Sequence, residues 1–338
     1  MRRFWLFRSD LTALEYYHKY KDLKTFKENC HDYYMLLPLW LLENNYVNEV
    51  IVWRLRDKIH DDIIFDVNGK KYIQKWVRNF TQTLKYPSPD ISFWRGGFQK
   101  YDMITKMHPK HFGKKLYLGA GRRILPQWGG IYDAFLMEDE RDFKKSNKFL
   151  PFYKTASPSI FHPINNSEIK WDVCWPCNFT QIRYKGQDFF MNLVSRSKYL
   201  KSLRIIHCGN KPEVGLKKAK KLGIKNVEFL GWKSRPELNE ILNQSKVALN
   251  LSNMQDGCPR ISTEILMSGT PLILRHSVRL LRYFRYFCRN VSDENVEKKI
   301  RYMVENYQTE KDKLLKVINN ELSFENINKK NINLWQKI

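Results

Sequence analysis

The chain has 338 residues, 43% of them apolar and 14% aromatic, and a net charge of +24. This length exceeds one compact core and suits two domains, and the apolar and aromatic content excludes a disordered chain. The charge directs the chain toward a polyanion: nucleic acid, an anionic membrane surface or a phosphorylated small molecule.

The opening stretch MRRFWLFRSD carries basic residues and only a short apolar run, so it reads as a strand and not as a signal peptide. YYMLLPLWLL (Tyr33 to Leu42) is about half the length a spanning helix needs. It is expected to be a buried helix, with a membrane-touching face as the alternative. EVIVWRL, DIIFDV, PDISFWRGG, KKLYLGAG and YDAFLM follow as short strands rich in β-branched and aromatic residues. Their alternation with helix-like and loop sequence predicts a parallel sheet covered by helices. PFYKTASPSIFHPINNSEIKWD is rich in Pro, Ser and Asn, and the domain boundary is placed within it, near Asn165.

The second half repeats the style. WDVCW reads as a strand, GQDFFMNLVSRSKYL as a helix and LRIIHCGN as a strand ending at Gly209 and Asn210. EVGLKKAKKLG is a helix closed by Gly223, VEFLGW a strand, and SRPELNEILNQS a helix capped by Ser234. KVALNLS is a strand, RISTEILMSG a helix, TPLILR a strand, and SFENINKKNINLWQKI a last helix. The expected organisation is α/β, with two Rossmann-like domains at 1–165 and 166–325 facing a cleft, and a helix at 326–338 that returns to the first domain. Ligands in such folds sit beyond the carboxyl ends of the strands.

Six cysteines with no secretion signal predict reduced thiols and a cytosolic chain, the inner face of a membrane being the alternative location. CWPC (Cys174 to Cys177) matches the C-x-x-C pattern, but loop-like sequence follows where a redox motif needs a helix. No second Cys/His pair supports zinc, and no D-x-D pair sits at a plausible strand end. No metal and no cofactor are expected.

The stretch DGCPRISTEILMSGTPLIL places Asp256 and Glu264 around the start of a helix that follows a strand. The free N–H groups near Pro259 and Arg260 and the helix dipole favour an anion there, and Gly257 lets backbone approach a ligand. A carboxylate accepts two hydrogen bonds and suits vicinal hydroxyls, so two acids beside an anion site suit a nucleotide sugar. By spacing alone, an exposed helix whose acids are simply solvated fits as well.

DGCPRISTEILMSGTP resembles the E-x7-E segment of the GT4-type retaining glycosyltransferases of the GT-B fold, with Asp256 in place of the first glutamate. IRYKGQDFFMNLV resembles that family's Lys-Gly segment, LRIIHCGN its strand ending in glycine, and VEFLGWKSRPELNEIL its F-x-G strand and following helix. The resemblance is specific from about Asp172 to Leu274 and vague before it. It implies that Glu264 binds the ribose, that Asp256 contacts the donor sugar, and that backbone near Gly257 and Cys258 holds sugar or phosphate oxygens. Lys185 would neutralise the diphosphate, with Arg183 sharing that work. Gly209, Pro259 and Arg260 would lie on the donor side, and Trp232 would stack on the base or serve as a core or hinge residue. The family's glycine-rich loop is missing from FRSDLTALEYY, and LGAGRRILP stands where the family often has a histidine. Arg122 or Arg123 would replace that contact or bind the acceptor, and Arg95 is a further acceptor-side candidate.

VRLLRYFRYFCRN spaces Arg279, Arg282 and Arg285 helically. Arg279 is a candidate for the diphosphate, against a basic surface for a polyanion or a plain packing helix. The resemblance implies retention by front-face attack, with the nucleotide sugar as co-substrate and a glycan, a glycolipid or a modified DNA base as acceptor. A nucleic-acid-binding protein and an inactive sugar-nucleotide binder are the alternatives.

Overall fold

The computed structural model describes residues 2–8, 20, 22–55, 60–95, 98–119, 130–138, 146–179, 185–252, 260–276, 278, 284 and 289–338. The chain forms two compact units, Met1–Tyr153 with Asn328–Ile338, and Lys154–Ile327. The boundaries read from sequence stand at 165 and 325.

The first unit runs β1 (Arg3–Arg8), α1 (Leu23–Asn29), α2 (Tyr33–Glu43), β2 (Glu49–Leu55), β3 (Ile63–Val67), β4 (Lys70–Val77), β5 (Ile91–Arg95), α3 (Phe98–Met107), β6 (Lys114–Leu118), β7 (Ala134–Met137) and β8 (Phe149–Pro151). Among the described residues these strands form one sheet in the order β3-β4-β2-β1-β5-β6-β7-β8. Each ladder is parallel except β3–β4, which is an antiparallel hairpin. Asn68 and Gly69 close that hairpin with φ of 54° and 77°, the paired left-handed residues of a two-residue turn. Trp5, Phe7, Trp53 and Trp94 pack one face of the sheet with Ile104 of α3. On the other face Trp335 stacks on Phe4 and Phe152. Residues 33–42 of α2 are buried all round, so the helix is a core element of this unit and not a membrane-touching face. Asp32 caps it by accepting from the Tyr34 N–H.

The second unit runs β9 (Trp171–Pro176), α4 (Gln187–Arg196), α5 (Lys198–Ser202), β10 (Ile205–Cys208), α6 (Pro212–Lys221), β11 (Val227–Phe229), α7 (Arg235–Asn243), β12 (Ser245–Asn250), α8 (Arg260–Met267), β13 (Leu272–Arg275), β14 (Arg289–Val291), α9 (Val296–Glu305) and α10 (Tyr307–Val317). The last helix, α11 (Phe324–Trp335), starts in this unit, and from Asn328 onward it belongs to the first. The sheet order is β11-β10-β9-β12-β13-β14, all parallel. Counted from β9, this is the 3-2-1-4-5-6 order of a doubly wound dinucleotide-binding sheet. Val173, Trp175, Val247 and Leu249 pack one face against α4, α6 and α9. The expected single helix over GQDFFMNLVSRSKYL breaks at Ser197, which ends α4 and caps α5.

Candidate functional site

The strand order reverses between β9 and β12. That is where an open α/β sheet leaves a crevice for ligand. A cavity of about 490 Å³ occupies it, lined by residues that follow β9 (Cys177, Asn178, Lys185), β10 (Gly209, Asn210), β11 (Trp232, Lys233, Arg235) and β12 (Leu251, Arg260, Glu264).

Two glycines shape the walls. Gly186 adopts φ +74°, and a Cβ there would lie 2.0 Å from the Leu251 carbonyl oxygen, so Lys185 is held where the loops after β9 and β12 touch. A Cβ on Gly209 would lie 1.7 Å from the Cys177 carbonyl oxygen. The glycine at the end of LRIIHCGN is thus required by loop packing, and it also lines the cavity.

Glu264 is the centre of the site. It stands on α8, 1% exposed, and its Oε2 accepts from Arg235 Nη1 at 2.9 Å. Its Oε1 is buried without a hydrogen-bond partner among the described residues. An unsatisfied buried carboxylate oxygen is costly, and one that lines a cavity has a natural partner in a ligand hydroxyl. Arg235 is placed by the start of α7, where Ser234 and Glu237 form a reciprocal capping box. The sequence reading missed Arg235. The available signal was its place directly after the cap of the helix that follows β11.

Lys185, Lys233, Arg235 and Arg260 line the cavity, and Glu264 is the acid among the described lining residues. The excess of cations suits a diphosphate. Trp232 is 61% exposed at the rim, which removes the core role considered for it. Its neighbour Gly231 turns the chain at φ +74°.

The structure therefore brings Lys185, Gly209, Trp232, Arg260 and Glu264 to one cavity. Arg183, Asp256, Gly257, Cys258, Pro259, Arg279, Arg122 and Arg123 lie outside the described residues. Arg95 ends β5 in the first unit, with its guanidinium 4.0 Å from the Tyr34 ring centroid.

The thiols beside the cavity are not activated. Cys174 lies inside β9, and Cys177 follows it with Sγ 3.5 Å from His207 Nε2. Burial pushes the Cys177 thiol up, against the opposing pull of the Lys185 ammonium. A hydrogen bond with Cys208 and burial push Cys174 up. Neither is a thiolate near neutral pH, so CWPC lacks the chemistry of a redox pair. Burial also holds His207 down to about 4, so it is neutral near pH 7.

No curated protein matches the chain in sequence. Residues 181–321 match the family model for glycosyl transferases group 1. In structure the chain is similar to sucrose-phosphate synthase from Thermosynechococcus elongatus, at 10% identity and a TM-score of 0.66 over 100% of this chain and 99% of that one. It is similar to HepE of Anabaena in complex with UDP, at 9% identity and a TM-score of 0.68 over 100% of both chains. A glycosyltransferase from Rickettsia africae aligns at 12% identity and a TM-score of 0.67 over 99% of this chain and 98% of that one. No helix among the described residues is long and apolar enough to cross a membrane. The fold is α/β and of the GT-B type, with two Rossmann-like domains built on the two sheets described above.

Proposed function

We propose that this chain is a glycosyltransferase that takes a nucleoside-diphosphate sugar into the cavity of the second unit. The observation that carries the reading is the buried Glu264 carboxylate, with one oxygen fixed by Arg235 and the other without a partner among the described residues, on a cavity whose other charged lining residues are Lys185, Lys233, Arg235 and Arg260. In this reading Glu264 Oε1 accepts from a ribose hydroxyl. Lys185, with Arg183 beside it in sequence, meets the diphosphate, and Trp232 covers the base. Asp256 and the backbone of Gly257 and Cys258, which precede α8 in sequence, are assigned to the transferred sugar.

The bond between the anomeric carbon and the diphosphate oxygen breaks, and negative charge builds on that oxygen. Lys185 and the N–H groups at the start of α8 stabilise this charge as it develops. The acceptor hydroxyl oxygen forms the new bond to the anomeric carbon from the same face, and its proton passes to the leaving diphosphate, which gives retention. Arg95, Arg122 and Arg123 of the first unit are assigned to the acceptor. UDP is the first nucleotide to test, because structures of Anabaena HepE, a protein of the same fold, are in complex with UDP, UDP and glucose, and UDP-glucose.

Calorimetric titration with UDP, GDP and ADP tests the assignment. One of them is expected to bind, and Glu264→Ala should weaken it by about 1.5–3 kcal/mol, the worth of a hydrogen bond to a charged group. Undiminished affinity in a folded Glu264→Ala protein would overturn the ribose contact. With the base identified, the anomeric configuration of the product, read by NMR, decides retention.

A further inference from the structure

The outer face of α3 and the turn after it combine two features that a soluble surface rarely places together. Met103 and Met107 are one helical turn apart, and they are 69% and 67% exposed. Lys106 on the same helix, and Lys110 and Lys114 in the chain that follows it, are also exposed, and none has an ion-pair partner among the described residues. The inner side of the helix is anchored by the buried Ile104 and Thr105, so the methionines are held outward. Beyond the helix, Lys110, Lys114 and Lys115 line a shallow depression of about 580 Å³ with Gly113, Asp133 and Ile338. Lys115 is paired with Asp133 at 3.2 Å, which leaves Lys110 and Lys114 as its uncompensated charges. Gly113 fixes the turn: it adopts φ +54°, and a Cβ there would lie 2.3 Å from the Pro89 carbonyl oxygen.

We propose that this face docks the protein on an anionic phospholipid bilayer. The methionine side chains enter the boundary between headgroups and acyl chains, and Lys106, Lys110 and Lys114 meet lipid phosphates, with the depression admitting a headgroup. Charge complementarity selects the partner: the lysines require an anionic surface, and the apolar pair gains nothing from a nucleic-acid backbone but does gain from hydrocarbon. Long lysine side chains can reach phosphates while their stems lie along the apolar layer. Lys114 opens β6 and Asp133 precedes β7, so the depression lies at the amino edge of the first unit's sheet. Docking there leaves the carboxyl edge of that sheet uncovered. The proposal does not depend on the donor site, which lies in the second unit.

Co-sedimentation with vesicles tests it, using phosphatidylcholine alone and phosphatidylcholine mixed with phosphatidylglycerol, at low and moderate salt. The protein is expected to sediment with the mixed vesicles only, and less so as salt rises. The triple variant Lys106→Glu, Lys110→Glu, Lys114→Glu should bind about two orders of magnitude more weakly. Met103→Ser with Met107→Ser should weaken binding several-fold and keep the salt dependence. All five positions are exposed, so thermal melts should be unchanged, and nucleotide titration of the same variants separates this face from the donor cavity. Equal sedimentation with neutral vesicles, or a charge-reversed protein that binds as well as the parent, overturns the proposal. So does duplex DNA that displaces the vesicles and binds the methionine variant as tightly as the parent, since the surface would then serve nucleic acid.

Discussion

The carboxyl edges of the two sheets treat buried charge in opposite ways. In the second unit a buried carboxylate on a cavity-lining residue gives one oxygen to Arg235 and leaves the other without a hydrogen-bond partner among the described residues. In the first unit Arg8, Arg54 and Arg95 stand at one register level on the adjacent strands β1, β2 and β5. There the protein itself supplies partners: Asp32 pairs with Arg8, Gln74 Oε1 accepts from Arg54 at 3.0 Å, and the Tyr34 ring lies under Arg95. The same strand architecture thus yields an edge whose three arginines each meet a group of the protein and an edge with a place left for a ligand. Breaking a charge pair should cost stability at the first and binding at the second.

The largest effect is expected at the buried Arg8–Asp32 pair of the first unit. Asp32→Asn keeps a capping side chain for α2 and removes only the charge that faces Arg8, both partners being buried. Loss of one partner of a buried pair costs about 3–5 kcal/mol. Denaturant unfolding should show that loss, with nucleotide binding by the surviving folded protein unchanged. A loss below about 1 kcal/mol would mean that Arg8 is compensated elsewhere and that the contrast between the edges is overstated.

Much of this was legible in the sequence, and the gaps have physical causes. β2 was readable to the residue because EVIVWRL is buried over most of its length and bounded by polar sequence. β4 escaped because KKYIQKWV is half polar and contributes Gln74 and Lys75 between its buried Tyr72 and Trp76, although the Asn68-Gly69 turn before it is a strong hairpin signal. Strands β8 and β14 are three residues each, too short for any periodicity to appear. At the site, Glu264 and Lys185 could be found because each belongs to a local motif. Arg235 had only its place after a helix cap to mark it, because its pairing with Glu264 joins two helices across 29 positions of sequence.

The next largest effect tests how dry the second unit is beneath its cavity. His207 is buried among Trp175, Phe179 and Phe229, and burial holds it down to about 4 from its ordinary 6.5. The unfolded chain therefore binds a proton that the folded chain refuses. This contribution to stability is fully present above pH 6.5 and is lost as pH falls through the window down to about 4. The loss across that window is about 3 kcal/mol. His207→Phe removes the titration and keeps an aromatic ring in an aromatic pocket, so its stability should fall less than the parent's over the same window. Parallel pH profiles for the two proteins would mean that the imidazole is already solvated in the folded state.

The smallest effect is at the rim and concerns the ligand alone. Trp232 is 61% exposed and lines the cavity, so it has little core to lose and one large flat face to offer. If the base stacks on it, Trp232→Ala should weaken nucleotide binding by about 0.5–1.5 kcal/mol, the worth of one aromatic contact, and leave the unfolding midpoint where it was. Titration with the nucleotide and with the matching ribose phosphate separates the contributions. Loss of affinity for the nucleotide, with none for the ribose phosphate, places the base on Trp232. Equal losses for both would move the tryptophan's role to the sugar-phosphate. A fall in stability with binding intact would make it a strut of the turn at Gly231, and the open edge of the second unit would then recognise its ligand through Glu264 and the cations alone.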